Sequence, residues 1–169
     1  MSCSKIIAIV AVIIFLFGIS TIDCAVAAEK AKCITEGTFY SVKWEQIEVA
    51  DEEEHKIGIY EMKGLYFDEL TGERIVDKSV GFMDFNSKTG DGFVRGYGVE
   101  TYSNGDKMFR SFEGKPVGKT QWKGEWNIIK CTGKLKGTDG GGIWTWTSYD
   151  LDMNQGYQKM EGQMQTPEQ

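Results

Sequence analysis

Four tryptophans in the C-terminal third of the chain, Trp122, Trp126, Trp144 and Trp146, have the types and spacing to build a site. Along an extended strand, side chains two or four positions apart project from the same face. Trp122 and Trp126 therefore share a face on one strand, and Trp144 and Trp146 share a face on the next. If these strands pair, the four indoles gather into one aromatic cluster. Such a cluster can wall a pocket, because small-molecule sites are mostly aromatic and apolar with a few placed polar groups. The reading favoured by the area each indole buries is a filled core.

The polar partners for such a pocket lie just upstream, in "YGVETYSNGDKMFR", residues 97–110. Tyr97 and Glu100 precede Asn104-Gly105, a dipeptide suited to a type I′ hairpin turn, and Arg110 follows it. Glu100 and Arg110 can then face each other from paired strands. Directed inward, they would be a buried ion pair able to orient the polar head of a ligand. The expected placement is outward, as a surface pair worth at most about 1 kcal/mol, since charged residues are seldom buried.

Other reactive residues are few. His55 is the single histidine, and it ends the acidic run "DEEEH" at 51–55. Consecutive carboxylates cannot all converge on one ion, and the run lacks the spaced ligands and glycine of a calcium loop. It reads as a solvated loop. With no CxxC or HxxH pair, no metal site or cofactor is expected. No Ser-His-Asp or Cys-His arrangement is legible, so hydrolase chemistry has no support.

The elements that must position these residues are strands. Stretches rich in Val, Ile, Thr, Phe, Tyr and Trp, punctuated by Gly, Asn and Asp, read as eight strands over 37–49, 56–69, 75–86, 92–103, 106–114, 119–130, 142–150 and 156–165. Connections this short leave no room for crossover helices, so sequential neighbours pair antiparallel. The expected fold is all-β, an up-and-down eight-stranded antiparallel barrel, because closure removes exposed sheet edges. Gly64, Gly81, Gly96, Gly98 and Gly124 fall inside strands and are expected at bulges and tight bends.

Ahead of the strands, Lys5 precedes an apolar run over residues 6–19, followed by small and polar residues. The run is shorter than the ~20 residues of a spanning helix and matches a cleaved signal peptide. Cleavage is expected after Ala27 or Ala28. The domain plan is a signal peptide over 1–28, an N-terminal arm over 29–36, the barrel over 37–165 and a tail over 166–169. The protein is accordingly expected to be periplasmic or secreted, with no stable membrane span. Cys3 and Cys24 leave with the leader. Cys33 and Cys131 then form either one disulfide tying the arm to the body or a pair of buried free thiols. The net charge of −6 argues against a nucleic-acid partner.

The run "GYGVETYSNGDKMFRSFEG", residues 96–114, followed by "WKGEWNIIKCTGKLKGTDGGGIWTW", residues 122–146, resembles the allene oxide cyclase-like barrel family, in its bacterial, secreted form. Cys131 stands where that family usually has glycine, and Leu135 where it has an aromatic. The likeness extends over about residues 92–150. It implies an eight-stranded barrel, in agreement with the strand count. The plant enzymes of the family cyclise an unstable fatty-acid epoxide in the barrel cavity, but their substrate-positioning residues do not align here and none is carried over.

Together these readings point to an exported small barrel that binds a small apolar or amphipathic molecule, or acts as an interaction module. Its candidate ligand residues are Trp122, Trp126, Trp144, Trp146, Tyr97, Glu100 and Arg110. An isomerase or cyclase of allene oxide cyclase type and a structural envelope protein that forms homo-oligomers through its sheet faces are the alternatives.

Overall fold

The period-two stretches all become strands, and their antiparallel neighbours zip in sequence order until the last meets the first. A computed structural model describes residues 30–150 and 154–167. The leader over 1–28 and its cleavage position at Ala27 or Ala28 lie outside those residues. The strands are β1 (Ala31–Glu48), β2 (His55–Asp68), β3 (Arg74–Asn86), β4 (Asp91–Thr101), β5 (Lys107–Pro116), β6 (Gln121–Cys131), β7 (Asp139–Ser148) and β8 (Gln155–Gln165). They form a closed barrel in the order β1 to β8, and the seam is an antiparallel β1–β8 pair running from Ala31↔Met164 to Tyr40↔Gln155. The connection from β6 to β7 contains a short 3-10 turn, Gly133–Leu135.

The N-terminal arm is the first correction. Residues 31–36 supply six of the ten pairs in the closing seam, and without them that stretch of β8 would present an unpaired edge. The Asn104-Gly105 turn is the second. Gly105 takes φ +87°, but Asn104 does not enter the positive region, and the turn closes through Gly105 N–H to the Tyr102 carbonyl at 2.9 Å. The loop is thus one residue longer than a type I′ hairpin and carries its left-handed residue at the end.

The interior glycines do not mark bulges. The register shifts at Ser41/Lys43 in β1 and at Phe109/Arg110 in β5. Several interior glycines instead make room for a neighbour's ring. A Cβ on Gly64 would stand 2.6 Å from the Phe39 ring, on Gly81 2.4 Å from Tyr60, and on Gly156 2.4 Å from Trp146. Gly98 makes the same space for the Arg110 guanidinium, at 2.6 Å from Cζ. Gly124 serves a close backbone approach, since a Cβ there would stand 1.9 Å from the Glu113 carbonyl oxygen. Large side chains and absent side chains alternate around the wall, so the barrel interior is packed by rings lying across glycines.

Strand direction gives the barrel two unlike ends. The turns over 49–54, 87–90 and 117–120 share one end with the β7–β8 connection. Turns over 69–73, 102–106 and 132–138 share the other with the start of β1 and the end of β8. The core runs between them and includes Phe39, Tyr66, Ile75, Met83, Val94, Met160 and the four C-terminal tryptophans.

Candidate functional site

The tryptophan pairing expected from the sequence is present. In the β6–β7 register Trp122 faces Trp146, Gly124 faces Trp144, and Trp126 faces Gly142. All four indoles point inward and are at most 8% exposed. They do not share one role. Trp122, Trp144 and Trp146 line a partly open cavity of about 70 Å³ with Phe39, Trp44, Tyr60 and others, in the half of the barrel nearer the 49–54 loop. Trp126 lies lower, over Gly162, in the filled half. Pocket and packed core therefore coexist in one barrel.

Ring geometry fixes the cavity wall. Trp44 stacks on Tyr60 at 5.9 Å between centroids, Phe85 leans on Trp122 at 5.2 Å, and Phe112 meets Trp144 edge-on at 6.0 Å. The Trp144 indole N–H is shared between the carbonyls of Glu113 at 3.1 Å and Glu125 at 3.0 Å. The strands themselves thus hold this ring in place.

Glu100 and Arg110 overturn their expected outward placement. Glu100 is 2% exposed and Arg110 1%. Their burial is stabilised by a third charge that sequence reasoning missed, Asp77 on β3. Arg110 donates through Nη2 to Asp77 at 2.5 Å and through Nε to Glu100 at 2.9 Å. Ser79 donates its hydroxyl to Asp77 at 2.5 Å, and Tyr66 donates to the Met160 sulfur at 3.3 Å beneath the guanidinium. The guanidinium also lies 5.7 Å from the Phe112 ring centroid and 6.0 Å from that of Tyr66, within cation–π range.

This cluster forms the floor of the cavity, reaching it through Arg110 and Ser79. Burial raises the Glu100 carboxyl above its ordinary range, against the lowering pull of Arg110, with Asp77 adding to the rise. Burial also opposes the Arg110 charge, but Asp77, Tyr66 and Glu100 together outweigh it and hold the guanidinium protonated. Burial raises the Tyr60 phenol as well, so its hydroxyl stays a donor.

Three polar groups that reach this cavity are unspent. Among the described residues, Arg110 Nη1, the Tyr60 hydroxyl and the Gln158 amide have no hydrogen-bond partner, although all three residues line it. Tyr60, Asp77, Ser79 and Gln158 escaped the sequence reading.

Tyr97 is 62% exposed on the outer wall, opposite Val80 and Ser111, because its parity on β4 is opposite to that of Glu100. It cannot join an interior site. Cys33 and Cys131 are buried free thiols, the second of the two outcomes considered for them. Burial pushes Cys33 up to about 12 and also raises Cys131, with Glu100 adding to both. His55 is the first residue of β2 and bridges Asp51 to Asp84. Among the described residues no His, Cys, Asp and Glu cluster has a metal-binding arrangement.

No family model matches the chain, and no curated protein matches it. Among solved structures, the barrel is similar to a pterocarpan synthase dirigent protein with a TM-score of 0.52, at 12% sequence identity, over 83% of this chain and 91% of that one. A second pterocarpan synthase dirigent protein gives a TM-score of 0.52 at 10% identity, over 82% of this chain and 97% of the other. At such identity the likeness is one of fold. The closed eight-stranded barrel is the architecture that the sequence resemblance implied.

Proposed function

We propose that this chain is an exported small barrel that holds one small apolar or amphipathic molecule in its aromatic half. The apolar part of the ligand rests against Trp122, Trp144, Trp146 and Phe39, and its polar end meets Arg110, Tyr60 and Gln158. The observation that carries this reading is the set of unpartnered polar groups in an otherwise aromatic cavity. Tyr60 and Gln158 are only partly buried and line the opening, where the polar atom of a ligand can partner them. The signal-like leader and the fold neighbours named for a small molecule support the reading in different ways.

Size bounds the ligand. About 70 Å³ is smaller than the ~150 Å³ cavity that accommodates benzene in an apolar core. A single ring can enter if Met62 or Met83, both on the wall, change rotamer, as the flexible thioether chain readily does. Native mass spectrometry of the purified protein after exposure to a lipid and metabolite extract checks the reading. A retained non-protein mass is expected. A protein that retains nothing from the extract contradicts it.

A second reading, an isomerase or cyclase, draws on the Asp77–Arg110–Glu100 cluster beneath the same cavity. Stereochemical enrichment of ring-closure products over the buffer background would favour it over simple binding.

A further inference from the structure

The charges beneath the cavity select among ligands. We infer that the site takes a neutral ligand bearing a hydrogen-bond-accepting oxygen, such as a carbonyl, and rejects both carboxylates and organic cations. This deepens the ligand-binding reading and rests on it.

Among the described residues Arg110 is the only buried cation, and it faces two buried carboxylates, Asp77 and Glu100. With both ionised, the floor carries one excess negative charge. Burial first, and Asp77 after it, make ionisation of Glu100 costly, so the space already resists negative charge. A ligand carboxylate would add a further negative charge to this balance in a poorly solvated space, where like charges repel strongly.

An aromatic wall and an excess negative charge together attract organic cations in the general case. Geometry removes that option. Arg110 lines the cavity and Asp77 and Glu100 lie behind it, so a cation meets the guanidinium first. A carboxylate meets a guanidinium already paired to two acids, and neither ion regains its hydration. What remains is a neutral acceptor. Arg110 has spent Nε on Glu100 and Nη2 on Asp77, leaving the Nη1 protons. Tyr60 offers a phenolic proton, and Gln158 an amide on the opposite wall. A carbonyl oxygen can accept from these donors without altering the charge of the floor.

Matched one-ring probes test this directly: acetophenone, benzoate and phenyltrimethylammonium, titrated at neutral pH and followed by tryptophan fluorescence and protein NMR. Acetophenone is expected to bind about tenfold or more tightly than either ion, the scale of one uncompensated charge interaction. Equal binding of all three, or tighter binding of either ion, overturns the inference and leaves the cavity reading standing. Absence of binding by every probe overturns both. Two variants examine the cause. Asp77→Asn and Glu100→Gln each remove one negative charge, and each is expected to narrow the gap between acetophenone and benzoate. Glu100→Gln also guards against misfolding of the first variant, since its amide oxygen can still accept from Arg110. An unchanged gap in whichever variant folds contradicts the charge basis.

Discussion

A guanidinium enclosed between two carboxylates is the most demanding feature of the interior. Arg110 makes its bonds to Asp77 and Glu100 where little water reaches, so each member depends on the others. Removing one partner of a buried ion pair typically costs about 3–5 kcal/mol, because the remaining charge stays desolvated. Arg110→Ala is therefore expected to lower stability by about that amount in urea unfolding, the loss of two ion pairs leaving both acids unpaired. Glu100→Gln should cost far less, since it removes a buried charge and keeps an acceptor. A cost below about 1 kcal/mol for Arg110→Ala would contradict the burial of the cluster. Sequence showed Glu100 and Arg110 as partners across a hairpin but not their direction. Asp77 decides that direction, and nothing in "VDKSV" advertises an acid that stabilises a charge from a strand two places away.

Parity explains why several site residues were hidden. On β3 the outward face bears Val76, Val80 and Phe82, while the inward face bears Ile75, Asp77, Ser79, Gly81 and Met83. Hydrophobic alternation alone would turn that strand inside out. On β2, Ile59, Leu65 and Phe67 are on the exposed face, whereas Tyr60 and Met62 point toward the cavity. The legible sign of the interior is the glycine row, which shares parity with the rings and leaves them space. Strand number, order and approximate bounds were readable because turns and β-formers alternate so regularly. The arm over 31–36 was not, since its pairing partner β8 lies at the far end of the chain.

The cavity-end loops form a second cooperative element. Asn86 donates to Glu52 at 2.9 Å, Ser87 to Glu54 at 2.5 Å, and Lys88 pairs with Glu53. His55 joins Asp51 at 2.7 Å and Asp84 at 2.8 Å, and both ring nitrogens can donate only in the imidazolium form. The bonds to Asp84 and Asp51 raise the His55 value, and that to His55 lowers Asp51. A raised histidine stabilises in full below its unfolded value of ~6.5 and loses that contribution as pH climbs through the folded value. Asp51 has the opposite sign, its contribution fading as pH falls through its lowered value. Loop docking is thus expected to be strongest between those limits. Amide exchange over 51–55 and 86–88 should accelerate from pH 6 to pH 8 beyond its intrinsic rise, and His55→Gln should abolish the excess. A wild-type excess that survives His55→Gln contradicts this role.

At the scale of the whole molecule, closure divides one interior into two environments. The filled half holds Trp126, Met160, the thiols and the ion cluster; the other half holds the ring-lined cavity above it. The four-tryptophan cluster was legible because parity and strand pairing place all four indoles inside. Its division was not, because the depth of each ring depends on strand tilt and on contacts with β1, β2 and β5. The five indoles give the most direct test of this division. Their N–H signals in a nitrogen-15 correlation spectrum report each ring separately during titration with acetophenone. Trp44, Trp122, Trp144 and Trp146 are expected to shift in a saturable manner while Trp126 stays still. Absence of any saturable shift, or a response confined to Trp126, would contradict a ligand cavity in the aromatic half.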